Sequence, residues 1–241
     1  MDPVERYRLA RRDPRVAVLE GLHALKHALR FGAEILDLRT PDPERLRGLA
    51  GELAGDVVDE IVRLATPTDR TVFDHLAPSP HPTGVIALAG RPVVDAAAVL
   101  AMPDPTPVVL LERPTHHGNI GAAVRVAAAA GAAGVLVTGE HDPWHPASIR
   151  GGAGLQFALP VARVPSLPST DRPIVAMDPG GEPLGPGSIS DGTVLVFGSE
   201  RTGVSDALLA RAAHRLAIPM RHGVSSLNLA TAVAVALYSR L

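Results

Sequence analysis

The chain contains no cysteine, which removes thiolate metal sites, iron–sulfur clusters, disulfide scaffolds and cysteine nucleophiles together. Lysine is almost missing as well. Of the 23 basic residues only Lys26 is a lysine, leaving 22 arginines, an excess that reads as coding bias and proves nothing about phosphate binding. Aromatic residues are few, with one Trp, two Tyr and four Phe, so extensive stacking on unpaired bases is excluded and any nucleic acid would be met through shape and phosphate contacts. Charge of one sign does not dominate either: 23 Lys+Arg against 25 Asp+Glu give a net of −2, which excludes a globally basic coat protein but not a local basic site. No apolar run reaches the ~18 residues of a membrane span, because Arg, Asp and Pro interrupt each one. The charged opening MDPVERYRLARRDPR has no apolar stretch behind it, so it is not a secretory signal, and the cytoplasm is the expected location.

What is present is a chain of 241 residues, 46% of them hydrophobic, enough for one large domain or two modest ones. Residues 1–100 carry 13 Lys+Arg and 15 Asp+Glu, the rest 10 and 10 together with most of the long aliphatic runs, a shift that suggests two domains. Leu22, Leu25 and Leu29 recur at helical spacing before Gly32, placed as a C-cap glycine. A strand over 35–38 follows, and Thr40-Pro41-Asp42-Pro43 opens a helix with Leu46, Leu49 and Leu53 on one face. Strands over 60–64 and 84–88 flank a short helix over 72–76. The stretch 91–107, with Pro92, Pro103, Pro105 and Pro107, carries the junction. Residues 1–95 are therefore expected to form a small α/β domain, 96–106 a linker, and 107–241 the larger domain.

In the larger domain the spacing predicts strands over 108–111, 135–138, 174–177, 194–197 and 216–218, with helices over 121–130, 206–213 and 227–238. Continuous apolar strands alternating with helices predict an α/β fold built on a parallel sheet, with a ligand crevice at the strands' carboxyl ends. The phosphate loop, the dinucleotide-binding glycine motif and the nucleophile elbow are all absent from the sequence, which sets aside kinases, ordinary dehydrogenases and α/β-hydrolases.

Three segments carry chemistry. After the strand over 108–111 comes a polar loop and then Asn119-Ile120-Gly121, opening an Ala-rich helix whose free N–H groups suit an anion, with Arg125 four residues past Gly121. The strand over 194–197 runs into Gly198-Ser199-Glu200-Arg201-Thr202-Gly203, where glycines admit a flat ligand against the backbone and the carboxylate can meet a cation or orient an arginine. Third is Ile218-Pro219-Met220 followed by Ser225-Ser226-Leu227-Asn228, in which Ser226 caps the last helix and Asn228 projects from its first turn.

In this order, N-x-G-x-x-x-R, G-x-E-x-x-G, I-P-M and S-L-N resemble the SPOUT superfamily, specifically the SpoU/TrmH-type RNA 2′-O-ribose methyltransferases, over 108–241. Ser148-Ile149-Arg150-Gly151-Gly152-Ala153-Gly154 is similar to the family's glycine-containing segment before the central strand. Residues 16–32, with Glu20-Gly21, resemble the small RNA-binding domain that many members carry in front. The resemblance implies a deep trefoil knot in the C-terminal domain and S-adenosylmethionine bound at Gly198, Ile218 and Leu227. It further implies functional side chains at Asn119, Arg125, Glu200, Ser226 and Asn228, a homodimer, and structured RNA (tRNA or rRNA) as substrate, with neither metal nor membrane. With an intrinsic pKa above ~12, Arg125 is a poor base. It is assigned to a substrate phosphate and the developing alkoxide, with Glu200 orienting it and the proton acceptor left open.

Two departures stand out: His116-His117-Gly118 replaces the usual Asn/Asp-Pro pair, and Thr83 stands where a Gln often precedes the linker strand. His141, Asp142 and His145 are separated by prolines that prevent a helical ligand spacing, so a surface loop is expected rather than a metal site. Arg6, Arg8, Arg11, Arg12 and Arg15 form the densest basic stretch, either an RNA contact or a solvated terminus. The rival readings are a non-catalytic RNA-binding or assembly protein on the same fold and a small-molecule or protein methyltransferase.

Overall fold

The computed structural model describes residues 1–79, 81–103 and 106–240. Positions 104 and 105 of the expected linker, and residue 241 at the end of the larger expected domain, lie outside the described residues. The chain divides into two compact units, Met1–Val93 with Trp144–Ala158, and Val94–Pro143 with the chain from Leu159 onward.

Elements are numbered along the chain. The first unit contains α1 (Pro3–Ala10), β1 (Val16–Glu20), α2 (Leu22–Arg30), β2 (Ile35–Thr40), α3 (Pro43–Leu53), α4 (Val58–Leu64), β3 (Thr66–Pro67), α5 (Arg70–Asp74), β4 (Ile86–Gly90) and α8 (Pro146–Gly151). Its four strands run in the order β1-β4-β2-β3. Local chemistry sets the helix starts: the Asp2 carboxylate accepts from Glu5 N–H and that of Asp42 from Arg45 N–H, each just ahead of a proline at the first helical position. Gly32 has φ +75° beyond the end of α2, the left-handed turn expected of a C-cap glycine.

Residues 58–64 form a helix, not the expected strand over 60–64. Val58, Ile61 and Leu64 recur at three-residue spacing with only Ile61 fully buried, and Asp59 and Glu60 sit in the first turn, where the helix dipole favours them. The segment 148–154, expected within the larger domain, packs with the first unit: Glu20, buried on β1, holds Arg11 at 2.8 Å and Arg150 of α8 at 3.3 Å. Four of the five N-terminal arginines, all but Arg12, have partners within the fold. Arg8 pairs with Glu5, Arg11 with Glu20 and Arg15 with Asp13, while Arg6 donates to the Leu36 carbonyl.

The second unit contains α6 (Ala96–Ala101), β5 (Val108–Leu111), α7 (His117–Ala129), β6 (Gly134–Val137), β7 (Val161–Arg163), β8 (Ile174–Pro183), β9 (Val194–Phe197), α9 (Asp206–Leu209), β10 (His214–Ala217) and α10 (Leu229–Tyr238). Its six strands pair in parallel in the order β10-β8-β9-β5-β6-β7. Every residue of β5, β6 and β9 is buried, as strands covered on both faces must be. One face is filled by Val108, Leu110, Leu136, Val194 and Val196 together with Val99, Leu100 and Leu208 from α6 and α9. β7 is an edge strand rather than a central one.

The expected linker over 96–106 is helical at its start. The Asp95 carboxylate caps α6 by accepting from Ala97 N–H at 2.9 Å, and the apolar run behind it buries Val99 and Leu100 in the core. In the strand order β5 has β9 on one side and β6 on the other, so the loops leaving β5 and β9 diverge. A ligand crevice is expected at that point.

Candidate active site

Three loops converge at the carboxyl end of this sheet. The β9–α9 loop is shaped by Gly198 and Gly203. A Cβ on Gly198 would collide with the Gly203 carbonyl carbon and the Val204 nitrogen, so no other residue lets the chain fold back so closely. Ser199 and Gly203 exchange backbone hydrogen bonds at 3.1 and 3.0 Å, which closes the loop and presents Glu200 at its tip.

The Glu200 carboxylate is held from the β5–α7 side. Asn119 Nδ2 donates to one oxygen at 2.7 Å, and both the backbone N–H and the hydroxyl of Thr115 donate to the other, at 3.0 and 2.9 Å. Partial burial pushes the Glu200 pKa up, but the bonds from Asn119 and Thr115 outweigh it and leave the group below its ordinary carboxylate value. The charge then orders the next amide. A carboxylate only accepts, so Asn119 must turn its NH2 toward Glu200 and its oxygen away. That oxygen accepts from Asn228 Nδ2 at 2.9 Å, and the Asn228 oxygen accepts from Ala230 N–H at 2.9 Å and Thr231 N–H at 3.4 Å. One hydrogen-bonded chain thus runs from the loop after β9, through the first turn of α7, to the start of α10.

Asn228, not Ser226, caps α10. Asparagine is as good a cap as serine, and the helix starts only at Leu229 because residues 224–228 continue the loop. Ser226 is exposed and lines a cavity of about 410 Å³ with Gly198, Glu200, Ile218, Met220 and Leu227. Met177, Phe197, Leu216 and Leu229 complete its apolar wall.

Arg125 stands apart. It is exposed on α7, and the oxygens of Glu200 that were expected to orient it are taken by Asn119 and Thr115. Six residues past Asn119, it lies ~9 Å further along the helix axis and on a different side. Gly121, one turn earlier, is buried. Thr115 is the partner of Glu200 that sequence reasoning missed: its only signal is a hydroxyl four residues before Asn119. Among the described residues no cluster of three His, Cys, Asp or Glu side chains could hold a metal ion. His141 instead packs edge-on against the His117 ring.

A doubly covered parallel sheet with a mostly apolar cavity at its carboxyl end and a carboxylate–amide chain beside it defines a ligand-binding α/β enzyme scaffold. The profile of the SpoU rRNA Methylase family matches residues 106–238. Over 236 residues the chain is 32% identical to the 23S rRNA (guanosine(2553)-2′-O)-methyltransferase of Bacillus subtilis, covering 92% of this chain and 86% of that one. It is 35% identical over 168 residues to the 23S rRNA (uridine(2479)-2′-O)-methyltransferase of Streptomyces viridochromogenes, covering 60% of this chain and spanning 58% of that relative's length. The crystal structure of the SpoU methyltransferase AviRb from Streptomyces viridochromogenes, in complex with the cofactor AdoMet, superposes with a TM-score of 0.79 at 26% identity, covering 98% of this chain and 95% of that one. The chain belongs to the SpoU rRNA Methylase family.

Proposed function

We propose that this chain is an S-adenosylmethionine-dependent methyltransferase that modifies a ribose 2′-hydroxyl of tRNA or rRNA. The observation that carries the reading is the Glu200–Asn119–Asn228 chain standing beside the cavity lined by Gly198, Ile218 and Leu227.

The cavity fits the cofactor. Its volume falls in the range of small-molecule sites, its wall is apolar for an adenosine face, and the Gly198 turn exposes backbone for hydrogen bonds to a flat ring. Gly198, Ile218 and Leu227 would hold it, and when bound it supplies an activated methyl on a sulfonium. The remaining work falls to the chain's own side chains. Asn119 and Asn228, locked in one amide orientation by Glu200, fix the geometry of the nucleophile relative to the cavity. Ser226, exposed at the cavity's edge, contacts substrate or cofactor. Arg125 holds the phosphate next to the target ribose and stabilises the developing alkoxide.

A homodimer is part of the proposal. The Arg125 side chain makes no hydrogen bond or ion pair with the Glu200 chain among the described residues, and α10, which packs on α7, leaves Val235 and Tyr238 38% and 52% exposed. A second copy packed there would bring an Arg125 to a site and cover apolar surface. The trefoil knot is proposed on the same footing: residues 218–228 lie between β10 and α10, and Ile218, Met220, Ser225, Ser226 and Leu227 of this segment line the cavity together with the β9–α9 loop. The front unit, 1–95 by sequence, is assigned to RNA binding, the knotted domain to 107–241, and the enzyme to the cytoplasm, where tRNA and rRNA are found. Among the described residues no helix is long and apolar enough to cross a membrane.

Calorimetry with S-adenosylmethionine and transfer of its labelled methyl group to bulk rRNA and tRNA test the proposal. Cofactor binding together with label in a 2′-O-methylated nucleoside supports it. RNA binding with no measurable cofactor affinity overturns it in favour of a non-catalytic RNA-binding protein.

A further inference from the structure

The second unit contains nine arginines, and five of them are tied down. Arg172 donates to the carbonyls of Leu100, Met102 and Thr106, Arg211 to those of Leu167 and Pro168, and Arg163 to that of Glu140; Arg215 and Arg240 pair with Asp178 and Asp191. Besides Arg125 on α7, the others are Arg113, Arg201 and Arg221. Arg201 and Arg221 are exposed, and their guanidinium groups have no hydrogen bond or ion pair among the described residues. The Arg113 guanidinium, 54% exposed, has among the described residues only a 3.6 Å contact with Glu112.

All three follow the carboxyl ends of strands in the one parallel sheet, β5, β9 and β10. Arg201 lines the cavity, Arg221 follows Met220 of its wall, and Arg113 lies two residues before Thr115, which holds Glu200. Arg113 also sits in a left-handed backbone conformation, φ +48°, where Gly or Asn is the cheaper choice. The structure accommodates it specifically. Thr138 Oγ1 accepts its N–H at 3.1 Å, and a Cβ on Gly139 would stand 3.1 Å from its Cα. A strained position occupied by a charged, weakly paired side chain at the site's edge is a functional signature.

We infer that Arg113, Arg201 and Arg221 form a phosphate-contacting rim around the cavity mouth, over which the RNA backbone flanking the target ribose runs. The inference rests on the RNA methyltransferase reading and adds residues that carry substrate affinity to it. Guanidinium groups suit the task, since each presents a planar fork of donors to phosphate oxygens.

The test is binding of the full chain to a fluorescein-labelled RNA stem–loop across a salt titration. Arg113→Gly, Arg201→Gln and Arg221→Gln should each weaken binding about fivefold to tenfold at low salt. Each should also lower the slope of log affinity against log salt by about 0.7 to 0.9. Arg163→Gln, on the edge strand, should leave both unchanged. Arg113→Gly separates function from architecture: relief of the left-handed strain holds or raises Tm while RNA affinity falls. Unchanged affinity with a lower Tm would show that Arg113 is structural. A triple variant with the wild-type salt slope overturns the rim. If the rim variants behave as expected but the wild-type chain transfers no methyl to rRNA or tRNA, the rim stands and the reading beneath it fails.

Discussion

Asn119 donates its amide to Glu200 at 2.7 Å and accepts the amide of Asn228 at 2.9 Å, so the rotamer of one asparagine is set by a carboxylate from another strand's loop and in turn sets the cap of the last helix. The site's precision depends on this direction of donation. Asn119→Asp removes the donor and places a second carboxylate against Glu200, so the hydrogen bond is lost and a repulsion takes its place. Methyl transfer should fall by about 100-fold or more, as expected when a charge-assisted bond worth about 1.5–3 kcal/mol becomes a repulsion. Steady-state kinetics with labelled cofactor measures this, and an Asp variant as active as wild type would remove Asn119 from the machinery.

Thr115 should act through Glu200. Thr115→Val deletes the hydroxyl bond at 2.9 Å but keeps the backbone bond. A rise in the Glu200 pKa and a loss of about fivefold in kcat are expected, from a bond worth about 1 kcal/mol. Thr115→Ser should restore both. A Val variant with the wild-type acid limb of the pH–rate profile would show that the hydroxyl does not position Glu200.

Glu200 also ties site to stability. Its pKa in the fold lies below its ordinary value of 4.5, so the folded state favours the charged form. The stabilisation this gives is complete above that ordinary value and fades as the pH drops through the lower, folded one. The Tm difference between wild type and Glu200→Gln should therefore be constant at neutral pH and shrink as pH falls below about 4.5. A difference that grows on acidification would contradict the hydrogen-bond account.

Gly198→Ala drives a methyl group into the Gly203–Val204 backbone. The loop must open, and affinity for S-adenosylmethionine should drop by at least about tenfold, in keeping with the 1–3 kcal/mol of an overpacked site. Circular dichroism checks that the fold survives, and calorimetry reads the affinity. An Ala variant that binds the cofactor normally would move the cofactor away from this loop.

The Arg125 side chain makes no hydrogen bond or ion pair among the described residues and is exposed. Arg125→Ala should shift stability by no more than about 0.5 kcal/mol while abolishing detectable methyl transfer. Retained full activity would remove the arginine from the site.

Much of the second unit is legible in the sequence because its strands are continuous apolar runs: Val108–Leu111 and Val194–Phe197 lie where the pattern places them. The motif residues Asn119, Glu200 and Asn228 meet in one hydrogen-bonded chain, but Arg125 stands outside it. The resemblance pairs Arg125 with Glu200, whereas the partner in the fold, Thr115, carries no pattern of its own. Ser226 and Asn228 are equivalent caps in sequence, and only the backbone, helical from Leu229, decides for Asn228. Short apolar segments were ambiguous for a different reason: residues 58–64 are as compatible with a strand as with a helix until Ile61 alone is seen to be buried. The packing of 144–158 with the front unit is a tertiary relationship across more than a hundred residues, and no local signal encodes it.

The most direct test of the central claim is a map of 2′-O-methylated nucleotides in total tRNA and rRNA from cells with and without this protein. One defined ribose methyl should vanish on deletion and return with the wild-type chain but not with Arg125→Ala or Asn119→Asp. An identical map in the presence and absence of the protein would contradict the assignment of RNA 2′-O-methylation to this site.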